Sequence, residues 1–258
     1  MRFDIAALSC VPHHKKLDRA LEKRDAILRF LADGEVYMTV DSAMVLLSVS
    51  RSVAGAALKA LETHKTLKSE TLLVPDDAGQ PRVTRIYGIT QTGRAVVDSD
   101  PAFPVFEMGR TNPLWVPHHR RCQLSRIAAE QAGWKDWTSE RVLRADGAKL
   151  KKIPDSLVTS PSGLKVAIEV ERHVKSIKRY EDIQRLYFAD LKSRKIDRVV
   201  YICPSSIAQS IQKIFRHLAK RVIVFDYTGW PHTPLPSLLS KNIVIEEEDC
   251  DPPVISEE

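Results

Sequence analysis

Three carboxylates bracket one short stretch, Ile153 to Glu171, which reads IPDSLVTSPSGLKVAIEVE. Side chains two apart on a strand share a face, so Glu169 and Glu171 point one way while Ile168 and Val170 point into a core. Pro161-Ser162-Gly163 is a turn signal between two β-prone runs, which predicts a hairpin that brings Asp155 beside the acidic pair. Three like charges that close repel one another unless a cation neutralises them. Mg2+ or Mn2+ suits such a cluster, because these hard ions take oxygen ligands. A Glu-x-Glu alternation alone is more often a solvated face. Here the Pro154-Asp155 step, the turn and the elements downstream favour a site.

The elements that must hold these acids are legible on both sides. Residues 118–132 (HHRRCQLSRIAAEQA) read as a helix with Leu124, Ile127 and Ala128 inward, ended by Gly133. Residues 134–143 begin a strand or short helix, with Thr138 and Ser139 as capping residues and Glu140 as an acid in a first helical turn. Residues 174–195 read as a helix with Ile177, Tyr180, Ile183, Leu186 or Tyr187, and Leu191 on its stripe. Residues 197–203 and 221–227 are buried strands separated by an amphipathic helix at 206–220. The alternation predicts an α/β fold with a mixed sheet. Trp134 and Trp137 read as core aromatics, His118 and His119 as surface or phosphate contacts, and His173 as a weak candidate base or ligand.

The first hundred residues follow a different plan. Residues 17–31 are an amphipathic helix with Leu17, Leu21, Ile27, Leu28 and Leu31 on one stripe, closed by Asp33-Gly34. A second helix starts at Asp41, and a third runs from Ser50 to about His64 with Val53, Ala57, Leu58 and Leu61 inward. Runs 66–74 and 82–89 form a hairpin around residues 75–81. This is the order of a winged helix-turn-helix, which would set Arg51, Ser52 and Lys59 toward a DNA major groove and Arg82 and Arg85 near phosphates. Prolines at 101, 104, 113 and 117 mark 98–117 as a linker, partly packed through Phe103, Phe106 and Trp115. The domains are therefore 1–97, 118–242 and an acidic, disordered tail at 243–258.

Charge supports a nucleic-acid partner. The chain of 258 residues has a formal net charge of +6, although its last sixteen residues carry acids and no Lys or Arg. No apolar run reaches the roughly 18 residues of a membrane span. The four scattered cysteines, Cys10, Cys122, Cys203 and Cys250, fit a reduced, cytoplasmic protein.

Pro154-Asp155, an acidic pair ending the next strand, a following helix and a strand-helix-strand tail together resemble the restriction-endonuclease-like PD-(D/E)xK fold. Within it, His118-His119, WTSE at 137–140, PD at 154–155 and EVE at 169–171 resemble the replication-relaxation and MOB-C-type plasmid mobilisation proteins. The resemblance implies a DNA nickase or relaxase acting on double-stranded DNA at a plasmid transfer origin, with other relaxosome proteins as partners. It implies that Asp155 and Glu169 ligate Mg2+ or Mn2+ and that Glu140 completes the site. Glu171 departs from the pattern, because the motif has lysine there. Either Glu171 is a further metal ligand, or a lysine arrives from the next helix, Lys178 before Lys175. Tyr180 and Tyr187 are candidate nucleophiles if the reaction is covalent. The alternative is a non-catalytic DNA-binding accessory or regulator with a degenerate nuclease fold.

Overall fold

A computed structural model describes residues 13–76, 79–97, 103–216 and, as backbone, 222–226. The acidic run 243–258, Cys10 and Cys250 lie outside them. Helix α1 (His13–Phe30) buries Ile27, Leu28 and Phe30, whereas Leu17 and Leu21 are each 51% exposed, so only half of the expected stripe meets the core. A wide turn over Leu31–Glu35 follows, with Gly34 at φ +89°. A Cβ at Gly34 would stand 2.8 Å from Val142, so both the backbone angle and the close approach require glycine.

Strand β1 (Tyr37–Thr39), which the sequence does not announce, leads into α2 (Val40–Leu47). Thr39 rather than Asp41 caps this helix, its Oγ1 accepting the Ser42 N–H at 3.3 Å. Ser48 takes the left-handed conformation, and α3 (Arg51–Thr63) turns 108° away from α2. Ala54, Leu58 and Leu61 face inward on α3, and Val53 is 40% exposed instead. Strands β2 (Leu67–Pro75) and β3 (Pro81–Ile89) form the antiparallel wing, and the sheet order is β1-β3-β2. Helix α4 (Gln91–Val96), capped by Thr90, closes the unit. Helix, strand, two crossed helices and a hairpin are a winged helix-turn-helix.

The stretch after α4 packs on the wing. Phe106 is buried over Gly88 and donates its N–H to the Ile89 carbonyl at 2.9 Å. A Cβ on Gly88 would fall 2.0 Å from that ring. A single 3-10 turn at Pro113–Trp115 then opens α5 (Val116–Gln131).

The second sheet contains β4 (Lys135–Ser139), β5 (Ser156–Thr159), β6 (Lys165–Val170), β7 (Arg198–Cys203) and β8 (Val222–Asp226), in that order. Its first two junctions are antiparallel and its last two parallel. Helix α6 (Glu140–Ala145) joins β4 to β5, α7 (Ile177–Lys192) joins β6 to β7, and α8 (Ser205–Ile214) joins β7 to β8. Ala167, Val199 and Tyr201 pack under α7 and α8, while Val166, Ile168, Val170 and Val200 pack with Trp134 and Trp137 on the opposite face. Burial on both faces explains why β7 is apolar without alternation. Ile177 is 69% exposed, because Ser176 caps α7 there and the inward stripe begins at Tyr180. No single helix among the described residues is long and apolar enough to cross a membrane.

Helix α5 belongs to both halves. Its buried Arg126 bonds Glu130 at 2.7 Å, Glu35 at 3.4 Å and Asp33, and stacks on Phe30. His119 reaches the carbonyls of Glu35 and Tyr37 at 3.0 and 3.3 Å, and Gln123 donates to the Tyr37 carbonyl at 2.5 Å.

Candidate functional site

Asp155 stands just before β5, and Glu169 and Glu171 stand at the end of β6, where the two strands pair Ser156 with Ile168. All three acids, with Glu140 at the start of α6, line one open cleft of about 830 Å³. Glu169 and Glu171 are each only 4% exposed, so they are held charges rather than a solvated face.

Each of the four acids has named partners. Asp155 Oδ2 accepts the Val170 N–H at 2.7 Å, and Oδ1 lies 3.3 Å from His118 Nε2 in the first turn of α5. Glu169 Oε1 accepts from Lys152 Nζ at 2.6 Å and from the Tyr187 hydroxyl. Glu171 accepts from Lys175 Nζ. Glu140 is bound by Arg144 one turn along α6, at 2.6 and 2.9 Å.

The environments push the acids apart in pKa. Burial raises Glu169, the charge of Asp155 adds to it, and Lys152 and Tyr187 offset part, leaving it at about 7. Burial also acts on Asp155, but the hydrogen bond and charge of His118 outweigh it and hold Asp155 below its ordinary value. His118 is raised in return, its own burial being outweighed by Asp155. Glu171 is raised by burial, with Lys175 pulling the other way. Near neutral pH the group therefore keeps Asp155 ionised and shares a proton at Glu169. Among the described residues the donor trio that falls within 4.8 Å is His118, Cys122 and Asp155; Glu169 and Glu171 line the cleft with Asp155 but are not part of that trio.

Lys178 does not line the cleft. It lies on an exposed face of α7, because it stands two residues, about 200° around the helix, from Tyr180 at the head of the buried stripe. Lys152 and Lys175 reach the acids instead. Tyr180 is fully buried and does not line the cleft, its hydroxyl taking the Lys175 N–H at 3.4 Å and burial raising its pKa to about 12. Tyr187 is equally buried and is spent on Glu169.

The sequence reasoning missed Lys152, His118 as a partner of Asp155, and Asp190. Asp190, fully buried on α7, accepts the Lys151 and Lys152 N–H groups at 2.8 to 3.1 Å and so anchors the loop that delivers the Lys152 amine. An acid beside Leu191 on an otherwise apolar stripe was the available signal for Asp190.

The expected DNA-contact residues lie on α3 and the wing, and most are paired. Arg51 meets Asp41, Lys59 meets Glu62 at 3.1 Å, and Arg82 meets Asp76 at 3.1 Å. Arg85 bonds Glu62 at 2.9 Å and Ser69 at 2.7 Å. Ser52 is exposed beside Arg51. Exposed pairs of this kind contribute at most about 1 kcal/mol, so a phosphate can replace the carboxylate at little cost.

No protein-family model matches the chain. No curated protein matches it significantly either. Two solved structures share part of it. A double mutant of ZitR from Lactococcus lactis, in apo form, is 20% identical over 33% of this chain, with a TM-score of 0.25. A MarR-family transcriptional regulator from Silicibacter pomeroyi is 18% identical over 48% of this chain and 81% of its own, with a TM-score of 0.19. The chain spans 58% of the ZitR structure. At these TM-scores neither likeness bears on function, and the winged helix stands on its own strand order and helix crossing.

Proposed function

We propose that the protein binds double-stranded DNA through its winged helix and brings the strand to the carboxylate cleft of the α/β half for divalent-metal-dependent nicking. The observation that supports this reading most is that half-buried Asp155 and buried Glu169 and Glu171 line one open cleft, which Lys151, Lys152, Arg172, Lys175 and Arg179 also line. The element order from α5 to β7, α-β-β-β-α-β apart from the short α6 between its first two strands, supports it as well. Asp155, Glu169 and Glu171 would hold Mg2+ or Mn2+, which when bound polarises a phosphate oxygen and lowers the pKa of a water. Lys152 offers the cation that the motif otherwise places after Glu169, and cations at the rim draw a phosphodiester inward. In its most specific form the substrate is a plasmid transfer origin, the partners are other relaxosome proteins and the place of action is the cytoplasm.

The second reading is a non-catalytic accessory or regulator. It is favoured by one observation: Glu169 and Glu171 already have ammonium partners in Lys152 and Lys175. Supercoiled-plasmid nicking with Mg2+ or Mn2+ separates the two. The nicking reading expects open circles from the parent and background levels from Asp155→Ala and Glu169→Ala. Equal behaviour of all three, with DNA binding intact, leaves the accessory reading.

A further inference from the structure

The N-terminal turns of α5 carry two donors, His118 and Cys122, that the proposed nicking does not use as metal ligands. His118 and Cys122 are one turn apart and face the same way. Cys122 Sγ lies 3.6 Å from His118 Nε2, and that same nitrogen lies 3.3 Å from Asp155 Oδ1. The three donor atoms all fall within 4.8 Å of one another. They border a cavity of about 370 Å³ on the side toward Glu35 and Tyr37, next to the carboxylate cleft.

We propose that His118, Cys122 and Asp155 form a site for a borderline transition-metal ion of the Zn2+ or Co2+ class. Two of the three donor separations are those of a tetrahedral ion, and the third is within 4.8 Å. With a bond of about 2.3 Å to sulfur and about 2.1 Å to nitrogen and oxygen, the edges of a tetrahedron are about 3.6 Å between S and N and about 3.4 Å between N and O. The observed separations are 3.6 and 3.3 Å. Sulfur and imidazole donors select Zn2+ and Co2+ over Mg2+, which prefers oxygen ligands only. Three protein donors leave the fourth position open, and the adjoining cavity has room for a water or a substrate oxygen there. The neighbouring His119 is no ligand, since its Nε2 is held by the Glu35 and Tyr37 carbonyls. These carbonyl contacts and the Arg126 bonds fix α5, so two of the three donors are presented by a rigid helix, and Asp155 joins them from the segment just before β5. Asp155 belongs to both donor groups, but this inference needs neither DNA nor Mg2+ and stands apart from the nicking reading.

The test is a Co2+ titration of the reduced full-length protein, followed by absorption. A tetrahedral thiolate site gives intense visible d–d bands and a sulfur-to-cobalt charge-transfer band in the near ultraviolet, saturating at one ion per chain. Zn2+ should erase both. Cys122→Ser should lose the charge-transfer band while keeping the parent melting temperature, and His118→Ala should weaken binding at least ~10-fold. Cys10→Ser, Cys203→Ser and Cys250→Ser should keep the band, as should Glu169→Gln, which disables the proposed nicking. A parent without the band, or a band that survives in Cys122→Ser or vanishes in Glu169→Gln, overturns the proposal. Absence of nicking with the cobalt site intact would defeat the functional reading alone.

Discussion

The two candidate surfaces of the molecule, the outer face of α3 with the wing and the carboxylate cleft, place their charges in opposite ways. On the winged helix, Arg51, Lys59, Arg82 and Arg85 are exposed and paired with acids that are themselves reachable by solvent. In the α/β half, Glu169, Glu171 and Asp190 are buried and satisfied by fixed partners. A surface charge is cheap to remove and free to change partner, whereas a buried charge is held by everything around it. The first arrangement suits a surface that exchanges ions for phosphates. The second suits a set of groups whose spacing must not change.

The largest effect should come from Arg126→Ala, which strands Glu35 in the interior. Chemical denaturation should show a loss of about 3–5 kcal/mol, and a loss below about 1 kcal/mol would mean that these buried charges are not held as described. Asp190→Ala removes the acceptor of the Lys151 and Lys152 N–H groups. The expected cost is about 1–3 kcal/mol, with faster hydrogen exchange at those two amides.

Glu169 gives a pH signature of similar size. Its folded pKa of about 7 lies above the ordinary 4.5, so between those values the folded protein keeps a proton that the unfolded chain releases. Without added metal, this group's contribution to stability therefore falls as pH rises through that window. Glu169→Gln should flatten the pH profile there by about 1–3 kcal/mol, and an unchanged slope would refute the raised pKa. The smallest stability effect is expected for Arg51→Ala, within about 0.5 kcal/mol of the parent. Its mark should appear in DNA binding instead, as a reduction of about 1 in the slope of log affinity against log salt. A stability loss above about 1 kcal/mol at Arg51 would erase the contrast between the two surfaces.

Much of this was readable in the chain because it is local. The β5–β6 hairpin is carried by its own turn residues and alternation, and the wing by the residues flanking 75–81. Strand β1 was not readable, since three residues pair with a partner strand nearly fifty positions later and carry no period of their own. The same applies to the lysine at the site. Lys152 sits in an irregular loop whose path is set by Asp190 on α7. Lys178 falls about 200° from Tyr180 on α7, so the same stripe that buries Tyr180, Ile183 and Tyr187 turns it away from the acids. His118 and Asp155 meet because α5 packs across the sheet, a tertiary fact with no sequence spacing behind it.

Helix α5 ties its polar side into the turn before β1 and offers His118 to Asp155 from the adjoining face. It therefore works as a clasp. His119 and His118 are neighbours at one end of the helix, so the turn before β1 and the segment that carries Asp155 are held side by side by α5 itself rather than by the chain between α4 and α5. Lengthening the proline-containing connection around residues 98–112 by a few glycines should leave the distance between them unchanged.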